Sequence, residues 1–230
     1  GAMGGAADLI LGQGRQAGFA MDQRQLSGAL VDDDGTQRQQ RQRAAKRAAE
    51  PGRFDDVLLT APTLLFDETL AIVGGDLTLQ LFATPGHTPD HISVFIPQIG
   101  TLLAGDAAEL PFPFAASAAA LPQLRQSLER MQALDPAAAL FCHAPVAAGP
   151  EVLKQNRAYF DTLEHHCRAA LAAGAPARPP AGADLEALVG FPYALAVPID
   201  MDADALAGFY RPGHQAAIRM MLEHLGGGQP

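Results

Sequence analysis

The sequence predicts a mixed α/β fold, because its middle part has the periodicity of strands and its later part that of helices. Residues 63–106 contain four short apolar runs separated by turn signals, which is typical of strands joined by hairpins. From residue 121 onwards, apolar side chains recur every three or four positions, which indicates helices. The chain of 230 residues is 48% hydrophobic and 18% charged, so it can bury a full-sized core.

Charge and composition argue against several classes of protein. The formal net charge is −9, whereas a duplex-binding protein needs a basic face, so no nucleic-acid partner is expected. No apolar run is long enough for a transmembrane helix, and no membrane partner is expected. Two cysteines, Cys142 and Cys167, do not make a disulfide framework. A reducing compartment follows, and we predict a cytoplasmic protein.

The first 62 residues carry the weakest signals. Residues 1–3 resemble a tag remnant, so we predict a domain over residues 4–174 and a helical extension packed on it over residues 175–230. The Gly-x-Gly at residues 11–14 predicts a plain turn, because the further glycine of a phosphate loop is missing. Residues 32–50 combine an acidic and a basic run and predict a solvated helix.

Four strands are predicted next, in chain order. The first ends at Gly74-Gly75-Asp76, which is a hairpin signal. The second, at residues 77–84, places Leu77, Leu79 and Leu81 on one face. The third and fourth, "HISVFIP" and "GTLLAGD", are separated by a turn at residues 98–100.

The helical part follows. Residues 121–134 predict a helix that Asp135-Pro136 stops, and "AAALFCHAP" predicts a short buried strand. A long amphipathic helix is predicted between Pro150 and Gly174. After the Pro- and Ala-rich connector at residues 175–183, two or three further helices are predicted.

Three potential metal ligands follow the ends of three apolar strands: His87, Asp106 and His143. In a layered α/β domain, such strand ends gather along one edge of the sheet. Two imidazoles and one carboxylate are good ligands for zinc or another borderline divalent metal. A carboxylate between two metals can bridge them, and a paired-metal site can hold a hydroxide nucleophile.

Other reactive groups carry weaker signals. Cys142 is predicted to be a buried small thiol, and the adjacent residues His165, His166 and Cys167 point in different directions on a helix, which disfavours a compact site. His214 is predicted at the start of an apolar helix. No G-x-S-x-G elbow is present, so a serine hydrolase is unsupported.

The stretch "TPGHTPDHISVFIPQIGTLLAGD" resembles the second half of the motif set of the metallo-β-lactamase superfamily, as in its glyoxalase II-like hydrolases. The resemblance covers about residues 56–170 and implies an αββα sandwich. It also implies that His87, Asp106 and His143 are metal ligands, in that order. His91 would contact these ligands rather than the metal itself.

Two phenylalanines follow the aspartate turn in "PFPF". Phe112 and Phe114 would wall a substrate cleft or pack in the core, and the sequence leaves both readings open.

One motif of that superfamily is absent, because no histidine precedes His87 and H-x-H-x-D-H is therefore missing. We expect the chain to begin just after this motif, by truncation, cleavage or natural loss, with the first strands of an N-terminal sheet missing. Two or three ligands cannot close a tetrahedral site, so metal binding is expected to be weak or absent and this chain inactive alone. Open sheet edges favour a homodimer.

The resemblance implies a metal-dependent hydrolase with one or two zinc ions, or iron or manganese instead. A hydroxide on the metal would attack an ester, thioester, lactone or phosphoester of a small-molecule substrate. Two alternatives stay open: a non-catalytic binding or assembly module of the same fold, and an iron-dependent thiol or persulfide oxygenase. No catalytic residue beyond the ligands is identified from the sequence.

Overall fold

A computed structural model describes residue 44, residues 48–52 and residues 64–227. The turn predicted at residues 11–14 and the second sheet of the predicted sandwich lie outside the described residues. Of the solvated helix predicted over residues 32–50, the described residues 44, 48 and 49 are helical and exposed. The elements that follow belong to one unit that begins at Phe66.

Five strands form one sheet whose strand order equals their order in the chain. They are β1 (Thr69–Gly74), β2 (Leu77–Ala83), β3 (Ile92–Ile96), β4 (Thr101–Gly105) and β5 (Ala138–Phe141). The first four pair antiparallel, and β5 pairs parallel to β4. The four predicted hairpin-linked strands are confirmed, and β2, β4 and β5 end at the same edge of the sheet.

Five helices follow the fourth strand in the described part of the chain. They are α1 (Leu121–Ala133), α2 (Glu151–Ala172), α3 (Leu185–Val189), α4 (Tyr193–Ala196) and α5 (Ala203–Gly226). As predicted, α1 stops before Asp135, whose φ is 46°, and three helices follow the connector. The mixed α/β fold class is thereby confirmed.

The sheet buries one face under α1. On that face Ser93 Oγ lies 3.4 Å from the Met131 sulfur, and the Arg130 guanidinium lies 4.9 Å from the centre of the Phe82 ring. On the other face, the strand register aligns a row of aliphatic side chains. These side chains are half-buried or exposed. Its members are Leu70, Leu81, Val94, Leu103 and Leu140. The prediction of a buried fifth strand is therefore wrong, because in β5 only Ala139 is buried.

His214 does not start a helix, which corrects its prediction. It lies inside α5, fully buried, where its ring bonds the Tyr159 hydroxyl at 3.1 Å and the Phe191 carbonyl at 2.9 Å. Pro212 caused the error, because it lies within the helix rather than in its first turn. The helix begins after Asp202, whose carboxylate accepts hydrogen bonds from two first-turn amides.

None of the described helices combines the length and the apolar character that crossing a membrane requires.

Glu186 joins α3 to α5 through a buried carboxylate. It accepts hydrogen bonds from Arg211 at 2.7 Å, from the Tyr193 amide at 2.9 Å and from Gln215 at 3.3 Å. Burial by itself would raise the pKa of Glu186, but these hydrogen bonds outweigh it and lower the pKa to about 2. The folded state therefore releases this proton more readily than the unfolded chain does.

We expect the free energy of unfolding to fall as the pH drops from about 4.5 to 2, because the unfolded chain then binds a proton at Glu186 that the folded protein still releases. Glu186→Gln should lose about 1–3 kcal/mol at pH 7 and show a flatter dependence in that acid range. Urea unfolding at pH 7, 4 and 3 measures both effects, with the exposed Glu129→Gln as control. An unchanged acid slope in Glu186→Gln would contradict this account.

Candidate functional site

The candidate site lies where β4 and β5 end side by side. The parallel register aligns Leu103 with Leu140, and a register shift then aligns Gly105 with Phe141. Asp106 and His143 follow these ends, and Nε2 of His143 lies 3.4 Å from Oδ1 of Asp106. The topology thus brings two of the three predicted ligands together across 37 positions of the chain.

Backbone hydrogen bonds join the loops after these two strands. The Cys142 amide donates to the Gly105 carbonyl at 3.3 Å, and the Leu110 amide donates to the His143 carbonyl at 3.3 Å. Cys142 is exposed, so its prediction as a buried thiol is wrong: β5 ends at Phe141, and the next residue lies in the loop. The loops form one connected rim that carries Asp106 and His143.

A third possible ligand, Glu109, belongs to this rim, and it was not predicted from the sequence. Asp106, Glu109 and His143 each offer one possible ligand atom, and these three atoms lie within 4.8 Å of one another. Glu109 is 2% exposed. The one sequence signal is an acidic residue amid the apolar run "AAELPFPF", and nothing in that run shows where its side chain points.

The electrostatics of the rim favour a cation. Oδ1 of Asp106 and Oε1 of Glu109 are both buried without a hydrogen-bond partner among the described residues. Burial, and then the Asp106 carboxylate, raise the pKa of Glu109 to about 8. Two carboxyl groups and an imidazole are chemically suitable ligands for a divalent metal ion, so the residues present fit such an ion.

His87 lies outside the group of ligand atoms just described. Its Nδ1 is 3.1 Å from the Phe114 carbonyl oxygen, so Nδ1 carries the proton that it donates and Nε2 keeps a lone pair. Its ring centre is 6.1 Å from that of His91. A metal-binding histidine commonly donates its other nitrogen to a carbonyl in this manner. The assignment of His87 as a ligand stays a prediction.

His91 orients the backbone of Asp106. The Asp106 amide donates to Nε2 of His91 at 3.1 Å, so Nδ1 is the protonated nitrogen and donates to Thr84 Oγ1 at 2.8 Å. Thr84 Oγ1 lies 2.9 Å from Ser93 Oγ, which donates to the Ala104 carbonyl at 3.2 Å. Burial lowers the pKa of His91, which favours the neutral ring that these bonds require.

Gly105 makes this approach of His91 sterically possible. A Cβ built on Gly105 would lie 2.8 Å from Nε2 of His91, and the φ of Gly105 is +63°. Both observations favour glycine at the residue before Asp106.

The two phenylalanines predicted for a cleft occupy different environments. Phe112 is fully buried and stacks on Tyr159 with ring centres 4.3 Å apart. Phe114 is half-buried and stacks on Tyr210 with ring centres 5.6 Å apart. The cleft assignment stays a prediction, and only Phe114 has a partly exposed surface for it.

Comparison with known proteins identifies similar sequences and folds. A family model described as the metallo-beta-lactamase superfamily matches residues 29–143, half of the chain. A beta-lactamase domain protein from Burkholderia ambifaria is 22% identical, with a TM-score of 0.51 over 79% of this chain and 52% of that one. A metallo-beta-lactamase family protein from Thermus thermophilus is 20% identical, with a TM-score of 0.48 over 79% of this chain and 62% of that one.

A third similar structure is a metallo-beta-lactamase superfamily protein from Sulfolobus tokodaii, 15% identical with a TM-score of 0.42 over 84% of this chain and 66% of that one. The chain therefore spans between half and two thirds of the length of these three proteins. None of the curated protein sequences compared with the chain matches it.

Proposed function

The chain belongs to the metallo-beta-lactamase superfamily, and from this membership we propose that it is part or all of a metal-dependent hydrolase. The substrate would be a small molecule with an ester, thioester, lactone or phosphoester bond. One observation carries the proposal: Asp106 and His143 lie 3.4 Å apart at the ends of two parallel strands. Oδ1 of Asp106 and Oε1 of Glu109, both buried without a hydrogen-bond partner among the described residues, support it.

The proposed ligands are His87, Asp106 and His143, with one or two zinc ions as the first choice and iron or manganese as alternatives. When bound, such an ion supplies Lewis-acid polarisation of the scissile bond and lowers the pKa of water. His91 holds the Asp106 backbone through Nε2, and the Phe114 carbonyl holds His87 through Nδ1. These bonds orient the proposed ligands before any ion arrives.

Activity is tested on the product of the complete reading frame and on the 230-residue chain, side by side. Each is supplied with Zn²⁺, Mn²⁺ or Fe²⁺ and offered esters, thioesters, lactones and phosphoesters. We expect the first product to hydrolyse at least one class and to lose this activity with a chelator. We propose that the 230-residue chain is much less active, since no histidine precedes His87 in it.

The outcomes separate the functions that the sequence leaves open. Bound metal with no hydrolysis of any class in either product would overturn the hydrolase and favour a non-catalytic module. Iron-dependent oxygen consumption with a thiol or persulfide, and no hydrolysis, would favour an oxygenase. Equal activity of the two products would overturn the proposed loss in the shorter one.

A further inference from the structure

We propose that Glu109 is a metal ligand, and that Asp106, Glu109 and His143 form a cation site complete within this chain. The inference rests on the proposed metal-dependent function but assigns a residue that the motif resemblance does not contain. The ligands would be one oxygen from each carboxyl group and one imidazole nitrogen, which lie within 4.8 Å of one another. A divalent first-row transition ion suits this set.

The burial of Glu109 is the first argument. Its Oε1 has no hydrogen-bond partner, and no lysine or arginine of the described residues pairs with it. An acidic side chain that is 2% exposed costs free energy unless a partner compensates for its lost hydration. The neighbouring Oδ1 of Asp106 is also buried without a hydrogen-bond partner among the described residues, and it lies 3.4 Å from Nε2 of His143, another proposed ligand. One cation between the two would satisfy both oxygens.

The fixed position of Glu109 is the second argument. Oδ1 of Asn156, a fully buried side chain on α2, accepts from the Glu109 amide at 2.9 Å, and its Nδ2 donates to the Glu109 carbonyl at 2.8 Å. These two bonds hold the backbone of Glu109 from both sides. Asn156 is therefore a positioning residue for the carboxyl group.

The connection between the loops is the third argument. The Leu110 amide, next to Glu109, donates to the carbonyl of His143 at 3.3 Å. The residue after Glu109 is thus bonded to the backbone of the third ligand. Asp106 is held in turn by His91, so each of the three ligands has a backbone anchor independent of any ion. Such preorganisation favours a metal site over a chance cluster.

The inference changes the expected metal binding of this chain. Two or three ligands cannot close a tetrahedral site without water or a second chain, and weak metal binding or none was therefore predicted from the sequence. With Glu109 there are three protein ligands, which leaves a position open for water or substrate, as in catalytic zinc sites.

Glu109→Gln tests the proposal, because it keeps the shape of the side chain and removes its charge. The measurement is Co²⁺ binding to the 230-residue chain, followed by visible absorption and titration calorimetry. We expect one Co²⁺ per chain and a dissociation constant weakened about 100-fold or more in Glu109→Gln, beyond the 10–100-fold typical of residues behind the ligands. Glu129→Gln, at an exposed position of α1, is the matched control and should bind as the unmodified chain does.

The remaining variants make the result decisive. Asn156→Ala should weaken Co²⁺ binding less than Glu109→Gln does and leave the Co²⁺ absorption spectrum unchanged in shape, because it removes no ligand. A Glu109→Gln protein that folds, by circular dichroism, and binds Co²⁺ like the unmodified chain would overturn the role of Glu109. If Asp106→Asn and His143→Ala still lose binding in that case, the proposed function stands. An unmodified chain that binds no Co²⁺ would overturn the self-contained site, and the hydrolysis assay would decide the function separately.

Discussion

Replacing Asp106 with alanine is expected to remove the proposed hydrolytic activity and the proposed metal binding, with a loss of more than about 100-fold in each. Asp106 and His143 are shared by the set of three ligands predicted from the sequence and the proposed Glu109 site. The Asp106 carboxylate lies 3.4 Å from His143, and its Oδ1, without a hydrogen-bond partner among the described residues, is buried beside Glu109.

The fold should survive the loss of Asp106. Burial, and then the Asp106 carboxylate, raise the pKa of Glu109; removing this carboxylate makes ionisation of the buried Glu109 less unfavourable, and we expect the thermal midpoint Tm not to fall. Metal content by elemental analysis, initial rates and Tm are measured on one preparation, with Asp76→Ala in the exposed β1–β2 turn as control. Retained metal and retained rates in Asp106→Ala would contradict the proposed function.

Replacing Gly86 with alanine is expected to lower the free energy of unfolding by about 3 kcal/mol or more, because strain and overpacking add. The φ of Gly86 is +134°, and a Cβ there would lie 2.4 Å from the Cα of Leu124. The obstructing atom belongs to the backbone of α1, so it cannot move aside as a flexible side chain would. The turn that presents His87 therefore packs directly on the helix.

Gly75→Ala is a matched control for Gly86→Ala. Gly75 also has a positive φ, +60°, but a Cβ there meets no atom within 4 Å. It should cost only the conformational strain, about 1–2 kcal/mol. Urea unfolding monitored by circular dichroism measures both variants. Equal losses in the two would show that contact with α1 contributes nothing, against the geometry described here.

Periodicity predicted most of the elements because their burial repeats along the chain. The burial of side chains alternates along β1 and β4, and α1 and α2 each bury one stripe of side chains, so the local sequence contains the relevant information. The prediction for His214 was wrong for a local reason. Proline is common in the first turn of a helix, but Pro212 lies inside α5. The prediction for Cys142 was wrong because β5 ends one residue before it, so Cys142 lies in the loop rather than in the sheet.

The proximity of Asp106 and His143 was predictable because residues that follow the ends of neighbouring parallel strands lie at one edge of the sheet. Glu109 was not, since its backbone is held by Asn156, 47 positions further along the chain. No pattern within "AAELPFPF" indicates that α2 places Asn156 against the backbone of Glu109. The approach of Glu109 to Asp106 and His143 therefore depends on tertiary packing, whereas the sheet edge at which Asp106 and His143 lie follows from the strand ends in the sequence.

The strand order has a consequence for how quickly the sheet assembles. Each strand from β2 onwards pairs with the strand before it in the chain, through three connections of eight residues or fewer and one helical crossover from β4 to β5. Few long loops need to close before these contacts form, and chains with such short sequence separations fold faster than those with distant pairings. The sheet is thus able to nucleate at any of its hairpins and grow outward, and the rim that carries Asp106 and His143 would be completed last, when β5 docks.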